Sequence, residues 1–166
     1  MGALVGDVKQ PILLVAPEGR EEEVVTRLSR VGFDQTLGYL SGGFESWKTA
    51  SKEYDTVSSI PATEFKAIAE AEKVPVFDVR KPSEFEAEHM NDAALTPLDF
   101  LNDHLAEFPS EGTFYVHCAG GYRSMIAASI LKSRGIHNLV DVAGGFAAMK
   151  KAGISTTDFV CPTQLK

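Results

Sequence analysis

Residues 118–123 read Cys-Ala-Gly-Gly-Tyr-Arg, and this stretch decides the fold of the chain. The five residues before it, 113–117 (TFYVH), are short, apolar and rich in β-formers, so they predict a buried strand. From Ser124 onwards apolar residues recur at helical spacing until Gly135, which is typical of a helix C-terminus. The sequence therefore places a cysteine where a strand ends, on a glycine-containing loop that runs into a helix.

This position favours the thiolate form of Cys118. Backbone N–H groups in such a loop can converge on one point, and the helix dipole stabilises negative charge there. Arg123 adds a permanent cation at the far end of the loop. The alternative is a small buried core cysteine, but a structural cysteine needs neither two glycines nor an arginine within five residues. The pattern therefore predicts a nucleophile.

The loop resembles the active-site loop of the rhodanese family, the sulfurtransferases that carry sulfane sulfur as a cysteine persulfide. The resemblance implies that Cys118 and Arg123 are catalytic. It also implies a group of loop residues that bind the substrate: Ala119, Gly120, Gly121, Tyr122 and Ser124.

The length of the loop separates two chemistries. Cysteine phosphatases place five residues between their cysteine and arginine, whereas four stand between Cys118 and Arg123. A shorter ring of N–H donors encloses a smaller space, which in the resemblance suits one transferred sulfur. Sulfur transfer is therefore favoured over phosphatase or arsenate reductase activity.

A second motif follows the predicted buried strand at residues 74–79 (VPVFDV). Asp78 and Arg80, then Glu84-Phe85 and later His89, resemble the signature of the rhodanese N-terminal half. Glu88 departs from that signature, since the family usually has glycine there. We expect structural roles for Asp78, Arg80 and His89, because paired charges at strand ends commonly fix geometry.

His117 precedes the nucleophile, but adjacent strand side chains point to opposite faces. It is therefore a weak candidate for activating Cys118. The second cysteine, Cys161, lies in a polar segment and is expected to be an incidental surface thiol. A disulfide between the two cysteines would consume the nucleophile, and neither suggests a secreted scaffold.

Composition excludes several classes of function. Hydrophobic residues make up 44% and charged residues 23%, which is typical of soluble globular proteins. Sixteen Lys and Arg against 23 Asp and Glu give a net charge of −7, which argues against nucleic-acid and anionic-membrane partners. No apolar run approaches the length of a membrane span. No metal-ligand spacing occurs, so we expect no metal and no cofactor. Two cysteines that form no disulfide scaffold make the cytoplasm the expected location.

The first fifty residues repeat the organisation of the Cys118 region as strand, loop, helix, strand and a Gly-Gly-Phe run. A shift of 103 residues places Val15 on Cys118, and one extra residue brings 42–44 onto 144–146. This internal repeat predicts an early copy without its thiol. Chance similarity of two βαβ units is the alternative.

The sequence thus predicts four segments: an incomplete, inactive rhodanese-like half-repeat (1–50), a polar linker (51–57), a complete rhodanese domain (58–153) and a C-terminal tail (154–166). The half-repeat should expose strand edges and one apolar sheet face. We therefore expect it to pack on the complete domain, to self-associate, or to be completed by an upstream region. The arrangement resembles the C-terminal region of metallo-β-lactamase–rhodanese fusion proteins, which implies an upstream hydrolase-like domain.

The fold implied by the resemblance is α/β, with a five-stranded, mainly parallel sheet and helices on both faces. The implied function is a sulfurtransferase that moves sulfur from thiosulfate or a persulfide to a thiophilic acceptor through Cys118. Small sulfur donors and thiol acceptors are the expected partners. The alternative is a relay module that docks to an upstream or partner sulfur-oxidising enzyme with little turnover of its own.

Overall fold

The computed structural model describes residues 5–161. The chain divides into two compact units, residues 1–56 and 57–166, and each is described by itself. No helix within residues 5–161 combines the length and the apolar composition that crossing a membrane requires.

Within residues 5–56 the first unit contains two strands and two helices, in the order β1 (Ile12–Leu14), α1 (Glu21–Ser29), β2 (Thr36–Tyr39) and α2 (Gly43–Thr49). The strands pair in parallel, which requires the crossover that α1 provides. Leu14, Leu28 and Phe33 form its small core. The start of the segment predicted as a linker contacts this unit, since the Trp47 indole N–H donates to the Glu53 carbonyl at 2.8 Å.

The second unit is built on a sheet of five strands: β3 (Ser59–Pro61), β4 (Val76–Asp78), β5 (Ala94–Leu95), β6 (Phe114–His117) and β7 (Leu139–Ala143). Their order across the sheet is β3-β7-β6-β4-β5, and every pairing is parallel. Its α-helices within residues 57–161 are α3 (Ala62–Ala71), α4 (Pro82–Ala87), α5 (Tyr122–Ser133) and α6 (Gly145–Lys151). The predicted α/β fold is confirmed, with a sheet that is wholly parallel.

Two apolar layers bury this sheet, as parallel strands require. On one side the rings of Phe77, Phe108 and Phe114 pack at centroid distances of 4.6–5.4 Å beneath α5. On the other side Phe65 of α3 packs on Tyr115 at 5.0 Å. The central strand β6 is therefore buried along its length, and the residue that follows it emerges at the carboxyl edge of the sheet.

Residues Leu98–Glu107 form 3₁₀ turns, although the spacing of their apolar residues also suits an amphipathic α-helix. Pro97 precedes them, and Phe100 departs from helical geometry with φ −120°. Because 3₁₀ turns bring residues i and i+3 onto one side, Leu98 and Leu101 are both buried.

The segment predicted as a C-terminal tail packs on the second unit through its residues 154–160. Ile154 is buried. The N–H of Thr157 donates to the His89 carbonyl at 2.9 Å, and that of Val160 donates to the Ala87 carbonyl at 2.8 Å. The ordered unit therefore extends beyond the predicted boundary at residue 153, because these backbone bonds pair the segment with the end of α4.

Glycine contacts correct the predicted alignment of the two units by one residue. A Cβ on Gly145 would overlap the carbonyl oxygen of Cys118, whereas a Cβ on Gly43 would overlap that of Ala16. Ala16, and not Val15, is therefore the residue placed like Cys118. The strand pairings support the same alignment. Leu14 pairs with Tyr39 in the first unit, and Val116 pairs with Asp141 at the equivalent position of the second unit.

Candidate active site

The Cys118 thiol lies where β6 ends and the loop to α5 begins. Its side chain is buried, and the N–H of Gly121 donates to its Sγ at 3.1 Å. Gly121 has φ 104°, a conformation that glycine adopts without steric cost. Because this turn directs backbone N–H groups inwards, the loop surrounds the sulfur with donors.

Two opposing effects act on the pKa of Cys118, and the net result is a lowered pKa. Burial raises the pKa, while hydrogen bonds from the Ser124 backbone and hydroxyl, and from Gly120 and Gly121, lower it more. Ser124 is fully buried, and its single hydroxyl proton can be donated either to Cys118 or to the Gly121 carbonyl oxygen 3.0 Å away. The thiolate is thus stabilised mainly by neutral donors.

The Gly144-Gly145-Phe146 turn packs against the backbone of the Cys118 loop. The N–H of Phe146 donates to the Cys118 carbonyl at 2.7 Å, and that of Ala147 donates to the Ala119 carbonyl at 3.1 Å. Gly145 has φ 56°, and its lack of a side chain lets α6 approach the loop backbone. This contact fixes the position of the Cys118 backbone.

Arg123 forms a bidentate ion pair with Glu84. Its two terminal nitrogens donate to the carboxylate at 2.6 and 2.8 Å. The hydrogen bond from Arg123 lowers the pKa of Glu84 to about 2, with burial opposing it and the Lys81 N–H assisting. Sequence reasoning placed Arg123 as a cation for the thiolate, but much of its charge is neutralised by Glu84.

Asp78 and Arg80 form a buried ion pair at the end of β4. The closest nitrogen and oxygen lie 2.6 Å apart, and both side chains are at most 5% exposed. Arg80 also lies over the Phe146 ring at 4.1 Å and donates to the Glu88 carbonyl at 2.8 Å. Arg80 thereby joins α4 to the turn that supports the Cys118 loop.

Glu88 occupies extended backbone with φ −170°, which any residue adopts, so replacing glycine there causes no strain. Its carboxylate pairs with Lys150 at 2.6 Å. The departure from the family signature therefore adds an ion pair between the end of α4 and α6.

Neither histidine near the site is placed to act as a base. The His89 ring stacks on Phe85 at 3.7 Å, and its Nδ1 lies 2.7 Å from the Phe85 carbonyl oxygen. His117 is fully buried, and its Nδ1 lies 3.3 Å from the Cys118 carbonyl oxygen. Burial lowers the pKa of His117, with the Asp78 charge opposing, so it stays neutral.

The other candidate residues of the Cys118 loop lie on its solvent-facing side. Tyr122 is 81% exposed, Gly120 is exposed and Ala119 is half-buried, so these contribute loop backbone and a single outward aromatic ring. Cys161 is exposed in the segment that follows α6. Within residues 5–161 no group of three or more His, Cys, Asp or Glu side chains is arranged to hold a metal ion.

Sequence reasoning missed Glu84 as part of the site. The residue lies 39 positions before Arg123, too far for any helical or strand period to connect them. A signal did exist, since Glu84 follows Pro82 in the first turn of a short helix just after Arg80. In the structure the carboxylate of Glu84 reaches Arg123 at the carboxyl edge of the sheet.

Comparison with known proteins agrees with this geometry. The family model for the rhodanese-like domain matches residues 61–152 of the 166, which is more than half of the chain. The chain belongs to the rhodanese-like domain family. The match begins at the last residue of β3, runs through β7 and includes the Cys118 loop.

Individual relatives match part of this rhodanese-like chain. An uncharacterized protein of Synechocystis sp. is 33% identical over 107 residues, which cover 64% of this chain and 59% of that protein. Thiosulfate sulfurtransferase 16 (chloroplastic) of Arabidopsis thaliana is 31% identical over 91 residues, covering 48% and 76%. The rhodanese-like domain of the Anabaena Alr3790 protein aligns with a TM-score of 0.57 and 25% identity, covering 63% and 81%. This chain thus spans less than two thirds of the Synechocystis relative.

Proposed function

We propose that the protein is a sulfurtransferase that carries sulfane sulfur on Cys118. The observation that supports this most is the Gly121 N–H directed at the buried Cys118 sulfur at 3.1 Å, together with the lowered pKa of that thiol. Relatives named sulfurtransferases, such as the Arabidopsis protein, support the same reaction class.

In the first half-reaction, the Cys118 thiolate bonds to the outer sulfur of the donor. The donor's S–S bond breaks, and its electron pair leaves with sulfite from thiosulfate or with a thiolate from a persulfide. The transferred sulfur then lies among the N–H groups of Gly120, Gly121 and Ser124, which stabilise its negative charge. In the second half-reaction an acceptor thiolate or cyanide removes that sulfur and regenerates the Cys118 thiolate, which gives ping-pong kinetics.

The proposed partners are therefore small sulfur donors and thiol acceptors in the cytoplasm, and the net charge of −7 disfavours nucleic acid. The first unit is proposed to be an incomplete copy without its thiol, since Ala16 stands where the complete unit has Cys118. An association with a metallo-β-lactamase-like domain is proposed from the resemblance alone.

The test is intact mass spectrometry after incubation with thiosulfate and, separately, with glutathione persulfide, followed by cyanide or glutathione as acceptor. We expect one added sulfur, carried on Cys118 and lost on adding acceptor. Efficient loading with very slow release to every small acceptor would instead support the relay module. Hydrolysis of an aryl phosphate without sulfur loading would contradict sulfur transfer.

A further inference from the structure

A groove of about 610 Å³ lies where β3 and β7 end, and α3 and α6 complete its wall. Ligands of open α/β sheets bind outside the carboxyl ends of the strands, and small-molecule sites run from about 300 to 1,000 Å³. Neither Cys118 nor a residue that donates to its sulfur lines this groove. The groove is therefore separate from the site of sulfur transfer, and nothing in the transfer step uses it.

Most of the groove wall is apolar. Ile60 and Pro61 of β3 form one side, and Ala148 and Ala152 of the α6 segment contribute another part. Ile60, Ala148 and Ala152 are only half-buried, so each of them leaves apolar surface in contact with water. An alkyl chain of a ligand that covers this surface is itself removed from water, which favours binding.

Among the described residues, Lys151 is the one charged side chain in the groove wall. Lys151 is exposed, and within residues 5–161 its ammonium group makes no hydrogen bond or ion pair. The neighbouring Lys150, by contrast, is paired with Glu88 at 2.6 Å. The Ser59 hydroxyl in the wall is already engaged, since it donates to the buried Asp141 carboxylate at 2.8 Å. The groove thus offers a cation without a partner beside an apolar surface.

This combination selects the chemistry of the ligand. An unpaired ammonium group is complementary to a carboxylate, and charge-assisted hydrogen bonds of this kind are stronger than neutral ones. The start of α3, whose first turn no side chain caps, adds backbone N–H donors to the wall near Thr63. A ligand with a positive charge would meet the like charge of Lys151, and a small inorganic anion would leave the apolar surface uncovered.

We propose that this groove binds a small organic carboxylate with an apolar chain. The carboxylate pairs with Lys151, and the chain covers Ile60, Ala148 and Ala152. The binding is non-covalent and does not depend on sulfur transfer by Cys118, so the two proposals can fail separately.

The test is an NMR titration of the ¹⁵N-labelled full chain with octanoate, octylammonium and acetate. Octanoate should shift the amide signals of Thr63 and Gly144, which lie in the groove wall, with a Kd of about 1 mM. Octylammonium has the same chain with the opposite charge, and acetate has the same charge without the chain. Each should bind about tenfold more weakly than octanoate, because each lacks one of the two contacts.

Two variants test the two contacts one at a time. Lys151→Gln should weaken octanoate binding roughly fivefold, whereas Lys73→Gln removes an exposed charge outside the groove and should not change it. Ala143→Leu adds bulk to the groove wall from an exposed position and should weaken binding by a similar factor. Ala71→Leu adds the same bulk on an exposed position of α3 outside the groove, and the Kd should stay at the wild-type value.

Equal affinities for octanoate and octylammonium would overturn the proposal, as would octanoate binding that Lys151→Gln and Ala143→Leu both leave unchanged. Signals of Thr63 and Gly144 that do not move at octanoate concentrations about tenfold above the expected Kd would overturn it too. The spectra of the variants also report directly whether each of them is folded.

Discussion

At the scale of single residues, neutral hydrogen-bond donors determine the state of Cys118. Burial by itself would raise the pKa of the thiol and leave it inert. The Ser124, Gly120 and Gly121 donors reverse that effect, so the thiolate persists to lower pH than an ordinary cysteine. Arg123 lies at the end of the same loop, where its guanidinium forms an ion pair with Glu84.

Ser124→Ala should slow alkylation of Cys118 by iodoacetamide near neutral pH. The hydroxyl is lost as a donor, so the pKa of the thiol rises and the rate should fall roughly tenfold. Ser129→Ala is the control, because Ser129 is exposed on the same helix and its hydroxyl donates to the Met125 carbonyl. Superimposable pH–rate profiles for wild type and Ser124→Ala would show that the backbone donors suffice.

Arg123→Ala should reduce donor turnover roughly tenfold, more than Arg20→Ala, which breaks an exposed pair with Glu23. Removing Arg123 leaves the Glu84 carboxylate unpaired beside the loop, where it repels both the thiolate and an anionic donor. The double variant Arg123→Ala/Glu84→Gln should therefore recover part of the loss. A double variant as slow as Arg123→Ala would mean that the cation itself is required.

At the scale of elements, two turns meet at the reacting sulfur. The β6–α5 loop carries the thiol, and the β7–α6 turn reaches its backbone from behind through the Phe146 and Ala147 N–H groups. Both depend on glycines with positive φ, at Gly121 and Gly145. Close packing of backbone on backbone leaves no room for a Cβ at the second of these positions.

Gly145→Ala should therefore lower both the free energy of unfolding and the rate of sulfur loading. Gly112→Ala isolates the backbone strain, because Gly112 also has positive φ but has no neighbouring atom within 4 Å. We expect about 1–2 kcal/mol for Gly112→Ala in urea unfolding. Gly145→Ala should cost about 1–3 kcal/mol more, from overpacking. Equal losses in the two variants would contradict a tight contact with the Cys118 backbone.

The elements that follow a local pattern were predictable from the sequence. Residues 113–117 predict a strand that the structure places at Phe114–His117, and the apolar spacing after Ser124 predicts α5. The 3₁₀ turns at Leu98–Glu107 were not predictable, because apolar residues spaced at i and i+3 also suit an α-helix. The Glu84–Arg123 pair joins distant segments, so only the assembled sheet brings it together.

At the scale of the whole molecule, the first unit differs from the second in the burial of its strands. Leu13 and Val15 of the first unit are 77% and 60% exposed, whereas the residues placed like them, Tyr115 and His117, are 7% and 0% exposed. A two-stranded parallel sheet with an uncovered apolar face is marginal in water. The exposed strands of the first unit are what the proposed incomplete copy would show.

Cleavage within residues 51–57 should release a first unit that is unfolded or self-associated, because about fifty residues bury too small a core without disulfide or metal. Size-exclusion chromatography and circular dichroism of the two pieces measure this. The 57–166 piece serves as the control and should stay folded and monomeric. A released first unit that is folded and monomeric would contradict the interpretation as an incomplete copy.

Sulfur loading tests the central claim most directly, measured by intact mass spectrometry on wild type, Cys118→Ser and Cys161→Ser after incubation with thiosulfate or glutathione persulfide. Cys118 has the buried, donor-lined setting, whereas Cys161 is exposed beyond α6. We expect one acceptor-labile sulfur on wild type and on Cys161→Ser, and none on Cys118→Ser. Loading of Cys118→Ser to the wild-type level, or equal losses in both variants, would contradict a persulfide carried on Cys118.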